Sequence, residues 1–204
     1  MSPSRALKPA VFLACLFPLA RLLLLGASDR LGANPVEFVT RSLGTWTLVM
    51  LCLTLAVTPL RRITGWSALA RVRRTLGLYA FFYGCLHLGT YVWLDQWFDA
   101  GAMLRDVAKR PFITAGFAAF LLMVSLAATS TDAMMRRLGR RWAQLHRAVY
   151  AIALLAVLHF WWHKAAKNAL AEPLLYAAIV ALLLGWRAWW RWRSAYPGSR
   201  RSSA

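Results

Sequence analysis

QLHRAVYAIALLAVLHFWWHK, residues 144–164, packs three of the chain's four histidines into a stretch that is otherwise almost entirely apolar. An apolar run of about 20 residues at ~1.5 Å per residue crosses the ~30 Å hydrocarbon layer of a bilayer as a helix. A soluble core helix needs neither that length nor that uniformity. An ionisable side chain is costly inside a membrane and faces the bundle interior, so the imidazoles at His146, His159 and His163 become candidates for function.

Around this stretch lie five more apolar blocks. The six run from about 9 to 27, 43 to 60, 75 to 97, 111 to 129, 144 to 163 and 173 to 192. Pro111 and Pro173 open the fourth and sixth, where a missing N–H costs nothing, and Pro59 is expected to close the second. Short loops are expected between the blocks, with no repeat signal and a short basic tail over residues 193–204. The expected fold class is an all-α integral membrane protein, a bundle of six transmembrane helices making one transmembrane domain over residues 1–204. The first block has the look of a signal peptide, with Arg5 and Lys8 before VFLACLFPLA. Pro18 and Arg21 interrupt its apolar run, however, and an uncleaved first span is the simpler reading.

The chain has 204 residues, 60% of them hydrophobic, with Lys+Arg 25 against Asp+Glu 7. The arginines cluster between apolar blocks instead of covering a polar face, which argues against a nucleic-acid binder. Arg61, Arg62, Arg71, Arg73 and Arg74 fall between the second and third blocks, and Arg136, Arg137, Arg140, Arg141 and Arg147 between the fourth and fifth. Cytoplasmic loops carry such an excess, so these two connections and both termini are expected on the cytoplasmic side of the membrane. The other three connections hold six of the seven acids, Asp29, Glu37, Asp95, Asp99, Asp106 and Glu172, and are expected outside. Tryptophans near the span ends fit an interfacial belt, and Cys15, Cys52 and Cys85 fit small hydrophobes with no CxxC spacing.

The remaining histidine, His87, lies 13 residues past Arg74, and His159 lies 13 past His146. If Arg74 and His146 both mark the inner boundary, His87 and His159 stand ~20 Å in, at matching depth on the third and fifth spans. Two neutral imidazoles at one depth are placed to clamp a haem iron, and a proton pathway would recruit acids that this core lacks. At the depth of His146 the third span offers Arg73 and Arg74, which cannot ligate iron. On a regular helix, moreover, His146 and His159 point ~140° apart. His159 and His163 share a helix face as in some zinc sites, but no third ligand is placed for one, and His163 reads as interfacial. A haem held by two histidines has no vacant coordination position and favours electron transfer. A cofactor-free scaffold with structural histidines is the alternative, and a small transporter is weakened by the lack of buried acids and paired inverted halves.

GLYAFFYGCLHLGTYVWLD, KRPFITAGFAAFLLMVSLAATST, LGRRWAQLHRAVY, VLHFWWHK and LGANPVEFVTRSLGTWTL resemble the MsrQ (YedZ) family over nearly the whole chain. The resemblance implies the haem-binding membrane subunit of the MsrPQ system, which repairs methionine sulfoxide in bacterial envelope proteins, within a class of ferric-reductase-like membrane domains. It implies b-type haem at His87 and His159, His146 as a further candidate ligand, and FMN. It also implies a periplasmic MsrP-type molybdopterin reductase as the partner in which substrate is reduced. There is no GxGxxG motif, and no appended dehydrogenase domain is expected. Electrons are therefore expected from the quinone pool or a separate cytoplasmic flavin reductase.

Overall fold

A computed structural model of the chain describes residues 3–165 and 168–195. The tail from residue 196, with Arg200 and Arg201, and the side chain of Arg5 lie outside the described residues. Among the described residues the chain is helical and has no strand. The elements are α1 (Pro3–Ala27), α2 (Pro35–Thr64), a 3-10 turn (Ser67–Arg71) and α3 (Arg73–Thr90), which runs on as a π turn (Tyr91–Asp95). After them come α4 (Ala100–Lys109), α5 (Pro111–Ala128), α6 (Asp132–Leu138), α7 (Arg140–Leu145), α8 (Ala148–Ala165) and α9 (Ala171–Ala195).

Among the described residues five segments are long and apolar enough to cross a membrane: Ala6–Ala27, Pro35–Thr64, Pro111–Ala128, Arg140–Ala165 and Ala171–Ala195. The sixth expected span is α3, which opens on Arg73 and Arg74 and carries Tyr79, Tyr83 and His87, and so is less apolar than the rest. It compensates by position, packing against α1, α2 and α5. The protein is thus a multi-pass helical membrane bundle, with Phe12, Leu13, Phe17, Leu23, Leu24 and Leu182 among its outward-facing apolar side chains. No charged side chain is fully buried among the described residues. Lipid tails are as apolar as leucine, so helix association here rests on close packing and interhelical hydrogen bonds.

Three expectations are corrected. The second helix starts at Pro35, not near 43, because Asn34 caps it: its Oδ1 accepts from Glu37 N at 3.1 Å, with Pro35 in the first turn. Pro59 does not close that helix, which continues to Thr64 and stops at Gly65 with φ 69°. Proline at 59 lacks the N–H that Leu55's carbonyl would accept, and such a loss is tolerated in a membrane helix when a neighbour supplies the bond. Arg187 of α9 supplies it, its Nη2 donating to Leu55 O at 2.6 Å. Finally, the connections are not plain short loops. α4 fills the third to fourth connection, tied down by Asp106, which accepts from Tyr91 Oη at 3.1 Å and Gln96 Nε2 at 3.2 Å. α6 and α7 fill the fourth to fifth, where Gly139 at φ 50° separates them.

Two antiparallel helix pairs form the centre, α2 with α3 and α5 with α8. α1 is tethered alongside by Tyr83 Oη donating to Cys15 O at 2.7 Å and Tyr79 Oη to Phe12 O at 3.1 Å. Tyr83 is fully buried, and the Cys15 carbonyl it bonds lies about one turn before Pro18.

Arg187→Leu leaves the Leu55 carbonyl without its partner and costs about 1–3 kcal/mol of stability, the range for a buried unsatisfied polar group. In a Pro59→Ala background residue 59 regains its N–H, and the same Arg187 substitution costs measurably less. Unfolding in mixed micelles of the four variants reads this coupling; equal costs in both backgrounds would refute it.

Candidate functional site

α3 and α8 bring His87 and His159 together, with ring centroids 6.1 Å apart and ring planes at 76°. Each imidazole is fixed the same way. His87 Nδ1 lies 2.9 Å from Thr40 O of α2, and His159 Nδ1 lies 2.6 Å from Phe112 O of α5. A carbonyl only accepts, so each Nδ1 carries the proton and each Nε2 keeps its lone pair. This is the arrangement in which a metal-ligating histidine is oriented by a bond at its other nitrogen.

Glycines make those bonds reachable. A helical carbonyl at residue i points towards residue i+4, and the side chain there shields its second lone pair. Thr40 is followed four residues later by Gly44, and Phe112 by Gly116. A Cβ on Gly44 would lie 3.0 Å from His87 Cε1, and one on Gly116 would lie 2.7 Å from His159 Nδ1. The imidazoles occupy the space that side chains would fill.

The two halves repeat. Each carbonyl and its histidine are 47 residues apart in the chain. α2 and α3 are therefore matched by α5 and α8 at an offset of 72 residues, with both carbonyl helices running one way and both histidine helices the other. No repeat is evident in the residue pattern because the two pairs share little beyond glycine and histidine at these places. The two halves are parallel, not inverted, so they are not the paired inverted halves of a transporter.

The repeat also shows what stands opposite His146. Its counterpart is Arg74, which bonds Asp132 at 2.5 Å and holds that exposed carboxyl below the usual carboxylate range. His146 itself sits at the break between α7 and α8, outside the regular helix expected there. Its Nε2 lies 3.1 Å from Thr129 Oγ1, and its ring stacks on Trp142 at 4.0 Å. Trp142 in turn donates from Nε1 to Thr129 O at 2.9 Å. His163 packs beside the pair's cradle, its ring 5.6 Å from that of Phe112. The structure thus joins two of the four histidines and places His146 in a separate set of contacts. Among the described residues no three His, Cys, Asp or Glu side chains converge to hold a bare metal ion.

Two imidazole nitrogens on opposite sides of one metal, each bonded at about 2 Å, put the ring centroids about 6 Å apart. The observed 6.1 Å matches that separation. Together with the free Nε2 lone pairs, it makes the residues present fit a group held by two axial histidines. Thr40, Gly44, Phe112 and Gly116 were missed from sequence; the only signal was a glycine inside each of two apolar helices.

A family model described as a ferric reductase like transmembrane component matches residues 43–157, more than half of the chain. The matched segment includes Gly44, His87, Gly116 and His146 and stops two residues short of His159. A protein of Bordetella pertussis named "Protein-methionine-sulfoxide reductase heme-binding subunit MsrQ" is 65% identical over 93% of this chain and 93% of its own. Relatives of the same name from Ralstonia nicotianae and Xanthomonas campestris pv. campestris are 61% and 49% identical, over 96% and 97% of this chain and 90% and 93% of theirs. The chain belongs to the MsrQ family of ferric-reductase-like transmembrane components. No solved structure matches it at a significant level.

Gly116→Ala forces His159 to move and costs about 1–3 kcal/mol through overpacking, partly offset by alanine's helix propensity. Gly44→Ala, with more room, costs less. Thermal unfolding in detergent should rank the wild type first, Gly44→Ala second and Gly116→Ala last; a Gly116→Ala protein as stable as the wild type would sink the cradle argument.

Proposed function

We propose that the protein is the membrane electron-transfer subunit of a protein-methionine-sulfoxide reductase system and binds b-type haem between His87 and His159. The observation that carries the reading is the pair itself: two imidazoles 6.1 Å apart, each with Nδ1 committed to a backbone carbonyl. The printed name of the relatives, a heme-binding subunit of such a reductase, supports it. A b-type haem held by His87 and His159 would supply one-electron transfer at its iron.

The chain's own residues do the rest. Thr40 O and Phe112 O hold the imidazole tautomers, so that both Nε2 atoms would be available to hold the iron. Gly44 and Gly116 let the rings come close to the carbonyl helices. His146, engaged by Thr129 and Trp142, holds the break between α7 and α8.

The arginine clusters in the connections between α2 and α3 and between α5 and α8 support an inner-membrane placement with both termini cytoplasmic. His87 and His159 then lie in the outer half, near the connection that contains α4 and the one around Lys164 and Glu172, which form an ion pair at 2.8 Å. These surfaces offer docking for a periplasmic MsrP-type molybdopterin reductase, in which methionine sulfoxide is reduced. Electrons reach the pair from a quinone in the bilayer or from a separate cytoplasmic flavin reductase. FMN rests on family resemblance alone, and no residue is assigned to it.

Purified protein should show a Soret band. His87→Ala and His159→Ala should each abolish most of it, while His146→Ala retains it; equal loss in all three variants, or a colourless wild type, refutes the assignment.

In sealed vesicles with the MsrP-type partner supplied on the face of α4, the reduced spectrum should decay to the oxidised one when methionine sulfoxide is added. A spectrum that stays reduced beside an active partner would disprove the electron route, whatever the haem result.

A further inference from the structure

Among the described residues three buried side-chain nitrogen or oxygen atoms lack a hydrogen-bond partner: Thr40 Oγ1, Arg41 Nε and Trp186 Nε1. Two of the three are on consecutive residues of α2. One of those two is Thr40, whose carbonyl holds His87. Unsatisfied polar groups are costly where water is absent, and these two lie within about one turn of Gly44, against which His87 packs, so a partner is missing beside it.

The chemistry of that partner follows from the groups. Nε–H of arginine can only donate, and a hydroxyl donates readily, so an acceptor is missing. Because one of the donors belongs to a guanidinium, the acceptor that suits it best is an anion, and a carboxylate above all. The chain's own nearby acid is already in use, since Glu37 Oε1 takes Arg41 Nη2 at 2.5 Å. That pairing occupies one part of the guanidinium and leaves Nε turned inward. The group argued for at His87 and His159 carries carboxylate arms along one edge of its ring.

We propose that Thr40 Oγ1 and Arg41 bind a carboxylate arm of the haem held by His87 and His159. This deepens the functional reading and rests on it. The two residues lie one turn before Gly44, towards the Asn34 end of α2. The carboxylate edge therefore faces the same end of the bundle as α4, away from Arg73 and Arg74. One helix then serves the group twice, through the Thr40 carbonyl at the imidazole and through Thr40 and Arg41 side chains at the ring edge. Arg41 also sets the reduction potential, because a cation beside the carboxylate favours the iron state with the lower positive charge.

The test is a spectroscopic redox titration of the purified full-length protein in detergent at one pH and ionic strength, with the haem-to-protein ratio measured alongside. Arg41→Leu should lower the midpoint potential of the retained haem, shifting its reduction equilibrium by about tenfold, and Arg41→Lys should restore most of the shift. Thr40→Val, which keeps the carbonyl and the shape, should give a smaller lowering. Removing Arg41 also uncovers the charge of Glu37, so Glu37→Gln with Arg41→Leu is compared with Glu37→Gln alone, and the potential should still fall. If Arg41→Leu loses haem entirely, Arg41→Lys and Thr40→Val decide by the same readout. Unchanged potentials in the variants that keep haem overturn the proposal, as does a lysine variant that behaves like leucine. A wild-type protein without a Soret band instead overturns the functional reading beneath it.

Discussion

A backbone carbonyl inside a membrane has no water to turn to, and where one lone pair of a helical carbonyl is laid bare, another helix must answer it. This bundle lays carbonyls bare at chosen points. At three of the points where a residue of another helix answers a carbonyl at i, the residue at i+4 is glycine or proline. Gly44 opens Thr40 O to His87, Gly116 opens Phe112 O to His159, and Pro59 strips Leu55 O of its helical partner and gives it to Arg187. The first two bonds orient the imidazoles. The third lets a helix of 30 residues run through a proline and pins α9 to it. Interhelical packing and candidate chemistry thus come from one device, with the side chain at the carbonyl differing from case to case.

What the sequence made legible was what helix geometry carries along a single chain direction. His87 and His159 could be set at one depth by counting from Arg74 and His146, since rise per residue is constant, and the structure brings those two rings together. The all-α class followed equally from the apolar blocks. The same counting failed wherever the helix departs from regularity. His146 was placed on a continuous helix, yet the chain breaks there as α7 gives way to α8, so the ~140° separation argument does not describe it. Pro59 was given its usual meaning as a terminator, which depends on nothing answering the freed carbonyl; Arg187, far along the chain, was the missing information. The start of α2 was signalled by Asn34, Pro35 and Glu37, but apolarity was followed instead of capping.

The candidate site was half legible for a related reason. Histidines stand out in an apolar run, whereas the groups that orient them are backbone carbonyls, which every residue has. Only the glycines could have marked them, and glycine in a membrane helix has many other uses. Once the 47-residue separation is seen twice, the pattern is plain, but it needs the fold to be seen once.

The repeat explains why one pair of imidazoles forms and a second does not. Each half contributes a carbonyl helix and a histidine helix, so a ligand on α3 finds its equal on α8 without further design. One level nearer the arginine-rich connections the equivalence fails, because α3 offers Arg74 where α8 approaches from His146. Arginine cannot give up a proton to serve as a ligand, and this one is committed to Asp132, tying α3 to α6. His146 turns to Thr129 and Trp142. The two levels therefore divide their labour: the symmetric one meets the requirements of a metal, and the asymmetric one fastens the helices at the bundle's basic end. The paired imidazoles are thereby displaced from the arginines, on the side where α4 and the short acidic connections lie.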